Sequence, residues 1–457
     1  MAIIEYIRDA LGNTVVLPIV IFVLGLILGI GWRKALHSAM MVGIGFIALS
    51  LSINLMMSVL GPASFDMVER TGLTQFKTLD LGFAPAAAIA LGTVIGASVI
   101  PFVFVLNLIM LLTRMTKTLN VDIWNYWHYA LSGSMVYFIT GGNFWAGILA
   151  AMTHAIYSLL IADATAPRIQ EFFNLPGVSI PHGWATTSVP LIIGMNWIFD
   201  RIPVFRDIDI DMDGLKKKIG IFGEPYIIGA IMGIIIGIVA GWDFGQVAQL
   251  AMTLAASMYL FPRMVAILIE GLSALSKGGQ EFFKKKLKGR EAYVGLDSAL
   301  LMGYSGTVIA GVILIPITIL IAAVLPGNTT LPFGDLAWIA FFIPMCAPLM
   351  KGNMFRTLVS GVFIVAMVLL ISTVFGPAIT AFGAQAGYEI PSEAAGFQYI
   401  TGMSAGNLVS LILYKIADLG AVVSTGIVFV ISLGIAAVVG FRRVRSEREM
   451  ELQAQET

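Results

Sequence analysis

Charge is what this sequence has least of. Of its 457 residues only 12% are Asp, Glu, Lys or Arg, while 58% are hydrophobic. A soluble globular protein carries about 25% charged side chains, and a surface this poor in charge cannot be covered in water. The chain is an integral membrane protein over nearly all of its length. A surplus of one sign is missing too: Lys+Arg and Asp+Glu are both 27, so no basic field is available for a nucleic-acid backbone. The single cysteine, Cys346, sits in an apolar run and excludes a disulfide framework or a cysteine metal cluster. Four histidines and that cysteine do not make a haem or metal electron carrier. There is no GxxxxGK[ST] phosphate loop, no dinucleotide GxGxxG in a βαβ setting and no HExxH. Neither a cofactor nor a metal is expected, and any driving force must come from an ion gradient or a separate partner.

One motif is a near miss. Asp209-Ile210-Asp211-Met212-Asp213-Gly214 matches the first half of a calcium loop, but position twelve is Gly220 and Lys216, Lys217 and Lys218 intervene. The stretch is a solvated segment in which Asp213 can start a short basic helix.

What the chain does have is long apolar runs. Spanning a bilayer takes about 20 apolar residues, and candidate segments fall at 12–31, 39–60, 84–112, 130–161, 178–199, 225–242, 246–270, 294–325, 331–349, 355–378 and 417–440, with a weaker one at 397–413. Several are too long for one simple span. Others, 178–199 above all, are interrupted by Pro, Gly and polar residues, as in broken or re-entrant segments that line a protected cavity. Short alternating barrel strands would not produce such runs. The N-terminus lacks the pattern of a cleaved signal, so the first segment is expected to stay. Basic clusters at Lys216–Lys218, Lys284–Arg290 and Arg442–Arg445 place 200–224, 271–293 and the C-terminal tail on the cytoplasmic side. Gly229, Gly233, Gly237, Gly241 and Gly245 recur every four residues and form one smooth helical ridge, suited to close packing or to a sliding surface.

Polar groups inside or beside apolar segments are expensive and mark sites. His182, in Ile180-Pro181-His182-Gly183-Trp184, follows a missing backbone donor and precedes a permissive glycine. It can bind a hydroxyl, with Trp184 along the apolar face of a sugar, or make an internal hydrogen bond. Glu224 in Gly223-Glu224-Pro225 opens a helix; it is a cap, a hydroxyl ligand, or a base for the hydroxyl that reacts. Asp297 and Asp335 are carboxylates beside apolar breaks with the same two readings. Asn125 and His128 lie in an aromatic stretch, 120–128, that fits either an interfacial belt or an aromatic-lined sugar site. His154 is expected to be a packed polar residue, and His37 interfacial.

Together these residues resemble the galactitol-type EIIC membrane component of the bacterial phosphoenolpyruvate-dependent sugar phosphotransferase system. The resemblance covers about 1–445 and rests on Leu11-Gly12-Asn13-Thr14, Leu112-Thr113-Arg114-Met115-Thr116 leading to Asn120-Val121-Asp122-Ile123-Trp124-Asn125, the His182 and Glu224 motifs, Gly295-Leu296-Asp297, Leu325-Pro326-Gly327-Asn328, Leu331-Pro332-Phe333-Gly334-Asp335 and Gly352-Asn353 with Phe355-Arg356-Thr357. It implies an all-α polytopic permease of about eleven transmembrane segments with re-entrant hairpins and inverted halves, similar to the ascorbate permeases. It also implies a homodimer in a bacterial cell membrane, and one EIIC unit at 1–445 with scaffold and substrate core interleaved, followed by a cytoplasmic tail at 446–457. Such a protein binds galactitol or a related polyol and moves it inward. A separate EIIB carries phosphate on a cysteine, supplied through EIIA, and transfers it to the sugar; Cys346 is not that cysteine. The resemblance assigns substrate contacts to His182, Asp297 and Asp335. The basic loops at 214–218 and 284–290 are candidate EIIB docking sites or topology anchors. The alternatives are an ion-coupled transporter using Glu224 or Asp297, and a membrane scaffold with no transport.

Overall fold

Proline, glycine and small polar residues cut the apolar runs into shorter elements than run length alone suggests. A computed structural model describes residues 13–70, 76–122, 126–286, 291–385, 388, 394 and 396–456. The chain opens with α1 (Asn13–Ile27) and α2 (Trp32–Arg70), then β1 (Thr78–Asp80), α3 (Phe83–Gly92), α4 (Val94–Leu112) and β2 (Thr118–Asn120). Next come α5 (Trp127–Ile139), α6 (Phe144–Phe173), β3 (Val178–Ser179), a 3₁₀ turn at Ala185–Ser188 and α7 (Val189–Phe199). Two short helices, α8 (Pro203–Arg206) and α9 (Met212–Ile219), connect to a second series. It comprises α10 (Pro225–Ala240), α11 (Phe244–Lys286), β4 (Tyr293–Gly295), a 3₁₀ stretch at Ser298–Gly303, α12 (Ser305–Val324) and β5 (Thr330–Leu331). It ends with a 3₁₀ stretch at Leu336–Phe342, α13 (Cys346–Leu349), α14 (Met354–Gln385), β6 (Tyr399–Thr401), a 3₁₀ turn at Met403–Ala405 and α15 (Leu408–Glu456), which is broken by a kink at Gly420 and Ala421.

The breaks have local causes. The run at 84–112 divides at Thr93, whose Oγ1 accepts the Gly96 amide at 3.0 Å and caps α4. The run at 130–161 divides at Gly141 and Gly142, both at positive φ, and Asn143 caps α6 through the Ala146 amide. The 331–349 run contains a strand, a 3₁₀ stretch and one turn of helix, not a span. Asp211, rather than Asp213, anchors α9: its Oδ1 accepts the Gly214 amide. Six helices among the described residues are long and apolar enough to cross a bilayer: Val94–Leu112, Phe144–Phe173, Phe244–Met264, Ser305–Val324, Met354–Gln385 and Leu408–Ser446. Shorter apolar helices lie between them, consistent with a multi-pass membrane protein.

The glycine ridge is a packing surface. A Cβ on Gly229 would meet Met258 and Leu254, one on Gly233 would lie 2.6 Å from the Ala251 Cα, and one on Gly237 would meet Val247. All these neighbours lie on α11, so the ridge lets α10 and α11 touch backbone to backbone. Gly233→Leu is expected to force this hairpin apart and to lower stability by about 3 kcal/mol. Thermal unfolding in detergent checks it, and a wild-type melting temperature would contradict the packing.

The chain forms two compact units, each assembled from discontinuous stretches. The first contains 1–89, 187–278 and 298–408; the second contains 90–186, 279–297 and 409–457. Each holds one small all-parallel sheet, ordered β5-β1-β6 in the first unit and β2-β4-β3 in the second. Exchanging β1 with β4, β2 with β5 and β3 with β6 converts one order into the other. The register matches as well. Asp80 on β1 pairs with Thr401, as Gly295 on β4 pairs with Ser179; Thr78 pairs with Thr330, as Tyr293 pairs with Thr118. The series α1 to α7 and α10 to α15 thus repeat one element order, with a helical hairpin before each central strand.

Candidate functional site

Strands of two or three residues cannot bury a core; they fix where the loops beyond them go. In the second unit Asn107 on α4 finishes the edge of the sheet, donating to the Thr118 carbonyl and accepting the Asn120 amide, both at 2.8 Å. Below it Asp163 on α6 accepts from the Thr116 and Thr118 hydroxyls, the Lys117 amide and Arg443 Nη2. At the sheet's outer end Lys117 bonds Glu291 at 2.8 Å and holds the Glu291 carboxyl below its ordinary range.

The three strand ends deliver three polar side chains to one place. Asp122 follows β2, His182 follows β3 and Asp297 follows β4, and one donor atom from each lies within 4.8 Å of the others. Asp122 and His182 are buried and Asp297 is half-buried. The loop carrying His182 is tied down on every side. Tyr129 Oη donates to the Pro181 carbonyl at 2.7 Å. His154 Nε2 meets the Gly183 carbonyl at 3.0 Å, and its Nδ1 meets Ser132 Oγ at 2.7 Å, which in turn reaches Ser410 Oγ. The Thr186 amide and hydroxyl both donate to the His182 carbonyl. A Cβ on Gly183 would stand 2.7 Å from His128 Cβ, so glycine is required there by space. His154 is the packed polar residue expected of it.

Three acidic and imidazole groups this close can hold a metal, but the tautomer argues otherwise. His182 Nδ1 accepts the Trp184 and Ala185 amides, each at 3.2 Å. Neutral His182 therefore keeps its proton on Nε2 and presents a donor, not a lone pair, to a ligand. One donor flanked by two carboxylate acceptors is a recognition set for hydroxyl groups, each of which both gives and takes a hydrogen bond. His128 stands beside the cluster. It is buried, its ring stands edge-on to His182 at 4.8 Å, and the Trp127 ring lies 3.8 Å from it. The reading of 120–128 as an interfacial belt does not hold for Trp127, which is only 3% exposed.

The remaining sequence candidates fall elsewhere. Asn125 lies outside the described residues. Glu224 belongs to the first unit, is half-buried, and precedes α10 without its carboxylate capping the helix. Asp335 is fully buried in the first unit, where its Oδ2 accepts the Ser404 amide at 2.7 Å beside Asp80. The matched register explains why that unit carries no copy of the acid–imidazole cluster. The positions equivalent to Asp122, His182 and Asp297 are Gly334, Ser404 and Gly82. Gly82 has φ +92°, and a Cβ on Gly334 would lie 2.3 Å from the Leu81 carbonyl carbon. Backbone occupies the place of the two acids. Asp122 and Asp80 are the residues that sequence reading passed over.

A protein-family model described as the sugar-specific permease component of the phosphotransferase system, EIIC-GAT, matches residues 6–393. The chain is similar to an Escherichia coli (strain K12) protein described as a permease IIC component, at 42% identity over 96% of this chain and 99% of that protein. It is 40% identical to the galactitol-specific EIIC components of E. coli strains K12 and O157:H7, over 81% of this chain and 82% of each of theirs. A largely helical, multi-pass chain matched over most of its length in this way belongs to the EIIC-GAT family of phosphotransferase-system sugar permeases.

Proposed function

We propose that this chain is a permease for galactitol or a closely related polyol, and that Asp122, His182 and Asp297 bind the substrate's hydroxyl groups while His128 closes the site. The observation that carries this reading is the fixed His182 tautomer between two carboxylates. It yields one donor and two acceptors within 4.8 Å, a spacing suited to neighbouring hydroxyls. The likeness to two galactitol-specific EIIC components supports the choice of polyol.

The sugar is phosphorylated on the cytoplasmic side by a separate EIIB charged through EIIA, as EIIC components in general require. Cys346 is completely buried and does not take that role. The protein acts as a homodimer in a bacterial cell membrane with its C-terminal tail in the cytoplasm. The second unit is the substrate-carrying body and the first the scaffold; the repeated element order fits inverted halves. The basic stretch at 214–218 contributes to EIIB docking.

Uptake of radiolabelled galactitol into vesicles, with and without EIIB, EIIA and phosphoenolpyruvate, tests this. Galactitol phosphate inside the vesicles only with the full set is the expected result. Free galactitol accumulated on an ion gradient would overturn group translocation in favour of a symporter. Phosphorylation of a different polyol, with galactitol inert, would overturn the substrate alone.

A further inference from the structure

The first unit contains an arrangement that polyol transport leaves unused. Asp80 and Asp335 are both completely buried, and the Asp335 amide donates to Asp80 Oδ2 at 2.9 Å. Their surroundings differ. Asp80 accepts four amides: Gly82 and Met403 on Oδ1, Phe333 and Asp335 on Oδ2. That is the environment of an ionised carboxylate. Asp335 Oδ2 accepts the Ser404 amide, but its Oδ1 is buried without completing a hydrogen bond, and so is Ser404 Oγ.

Among the described residues, the groups facing Asp335 bring no positive charge. β1 supplies Asp80, α3 supplies the Phe83 amide, and the Met403–Ala405 turn supplies Ser404; Asp80 is the charged group that acts on it. Two adjacent anions taken out of water need a compensating charge, and the buried Asp335 Oδ1 and Ser404 Oγ mark where it would sit. We propose that Asp335 Oδ1 and Ser404 Oγ, beside Asp80, form a binding site for one monovalent cation. A proton on Oδ1 turns it into a donor toward Ser404 Oγ; a sodium ion takes both oxygens as ligands. Either occupant fastens the Ser404 turn to the 332–335 loop, so the first unit depends on a bound cation that the second, where Asp122 and Asp297 stand in place of Gly334 and Gly82, does not use.

Melting temperatures of wild type and Asp335→Asn in detergent at pH 5.5 and 8.5, in sodium chloride or choline chloride at equal ionic strength, test the site. Asp335 lies outside the six spanning helices, and burial with the Asp80 carboxylate pushes its carboxyl well above the ordinary range. The folded protein then holds a proton that the unfolded chain has released, so stability falls as pH rises toward the folded value. A wild-type melting temperature that drops several degrees more than that of Asp335→Asn, alike in both salts, identifies a proton. A sodium-specific gain at pH 8.5, absent from Asp335→Asn, identifies sodium. Parallel behaviour of the two proteins in every condition overturns the proposal. If Asp335→Asn fails to fold, Ser404→Ala replaces it, and a variant that keeps the full wild-type pH and sodium response also overturns it.

Discussion

Replacing Asp80 by alanine is expected to leave no folded protein to assay. Its carboxylate accepts amides from β1's own exit (Gly82), from the loop after β5 (Phe333 and Asp335) and from the turn after β6 (Met403), at 2.9–3.1 Å. It is the point at which the three strand ends of the first sheet are joined. Alanine strands three buried donors and one half-buried donor at roughly 1–3 kcal/mol each, a loss comparable with the whole net stability of a domain, about 5–15 kcal/mol. Water cannot replace the lost acceptor without room, and room is lacking: Gly82 and Gly334 already touch backbone to backbone. Asp80→Asn keeps one acceptor oxygen but turns an amide toward donors, so it falls between the two. Size-exclusion profiles in detergent across the series measure this, and a monodisperse Asp80→Ala protein melting with wild type would show that the hub is dispensable.

Asp80 also shows where reading the sequence stops. The apolar composition identified the membrane class, and Pro181, Gly183 and their neighbours announced a broken segment at 178–199, which the structure resolves into a strand, a 3₁₀ turn and an eleven-residue helix. What run length cannot show is a strand two or three residues long, because nothing periodic fits into it. Residue 80 therefore fell at the end of a polar connection, and 331–349 looked like a span. The sheets compound this: every strand pairs with one distant in sequence, Thr78 with Thr330 and Tyr399, and no local pattern encodes a partner so far away. A faint signal was present. Thr78-Leu79-Asp80, Thr118-Leu119-Asn120 and Thr330-Leu331-Pro332 share a Thr-Leu opening, and these are the strands β1 and β2 and the strand β5 with the residue that follows it. Reading them as one repeated device would have placed Asp80 and Asp122 at strand exits beside the residues already chosen, His182 and Asp297. It would also have separated Asp335, which has the same chemistry but follows the strand of the other sheet.

Within the acid–imidazole cluster, Asp297→Asn and His182→Phe are expected to weaken polyol recognition while leaving the fold intact, the reverse of Asp80→Ala. Asp297 is half-buried rather than sealed, so neutralising it removes an acceptor from the ligand without removing a pillar from the sheet. A hydrogen bond to a charged group contributes about 1.5–3 kcal/mol, and each 1.4 kcal/mol is tenfold in affinity. Galactitol binding should therefore weaken on the order of 10- to 100-fold for Asp297→Asn. His182→Phe loses the Nε2 donor and also the Nδ1 acceptor for the Trp184 and Ala185 amides, so the 181–186 loop loosens as well and binding is expected to fall further. His182→Gln separates the two roles, since its amide restores a donor toward the ligand without the ring's second contact; it should recover part of the affinity lost in His182→Phe. Equilibrium binding of radiolabelled galactitol to purified protein, alongside melting temperatures, reads both effects. Wild-type affinity in Asp297→Asn and His182→Phe would remove the cluster from the binding site. A collapse of melting temperature in Asp297→Asn comparable to that of Asp80→Ala would make it a structural staple instead, and the difference between the two strand-end clusters would lose its functional meaning.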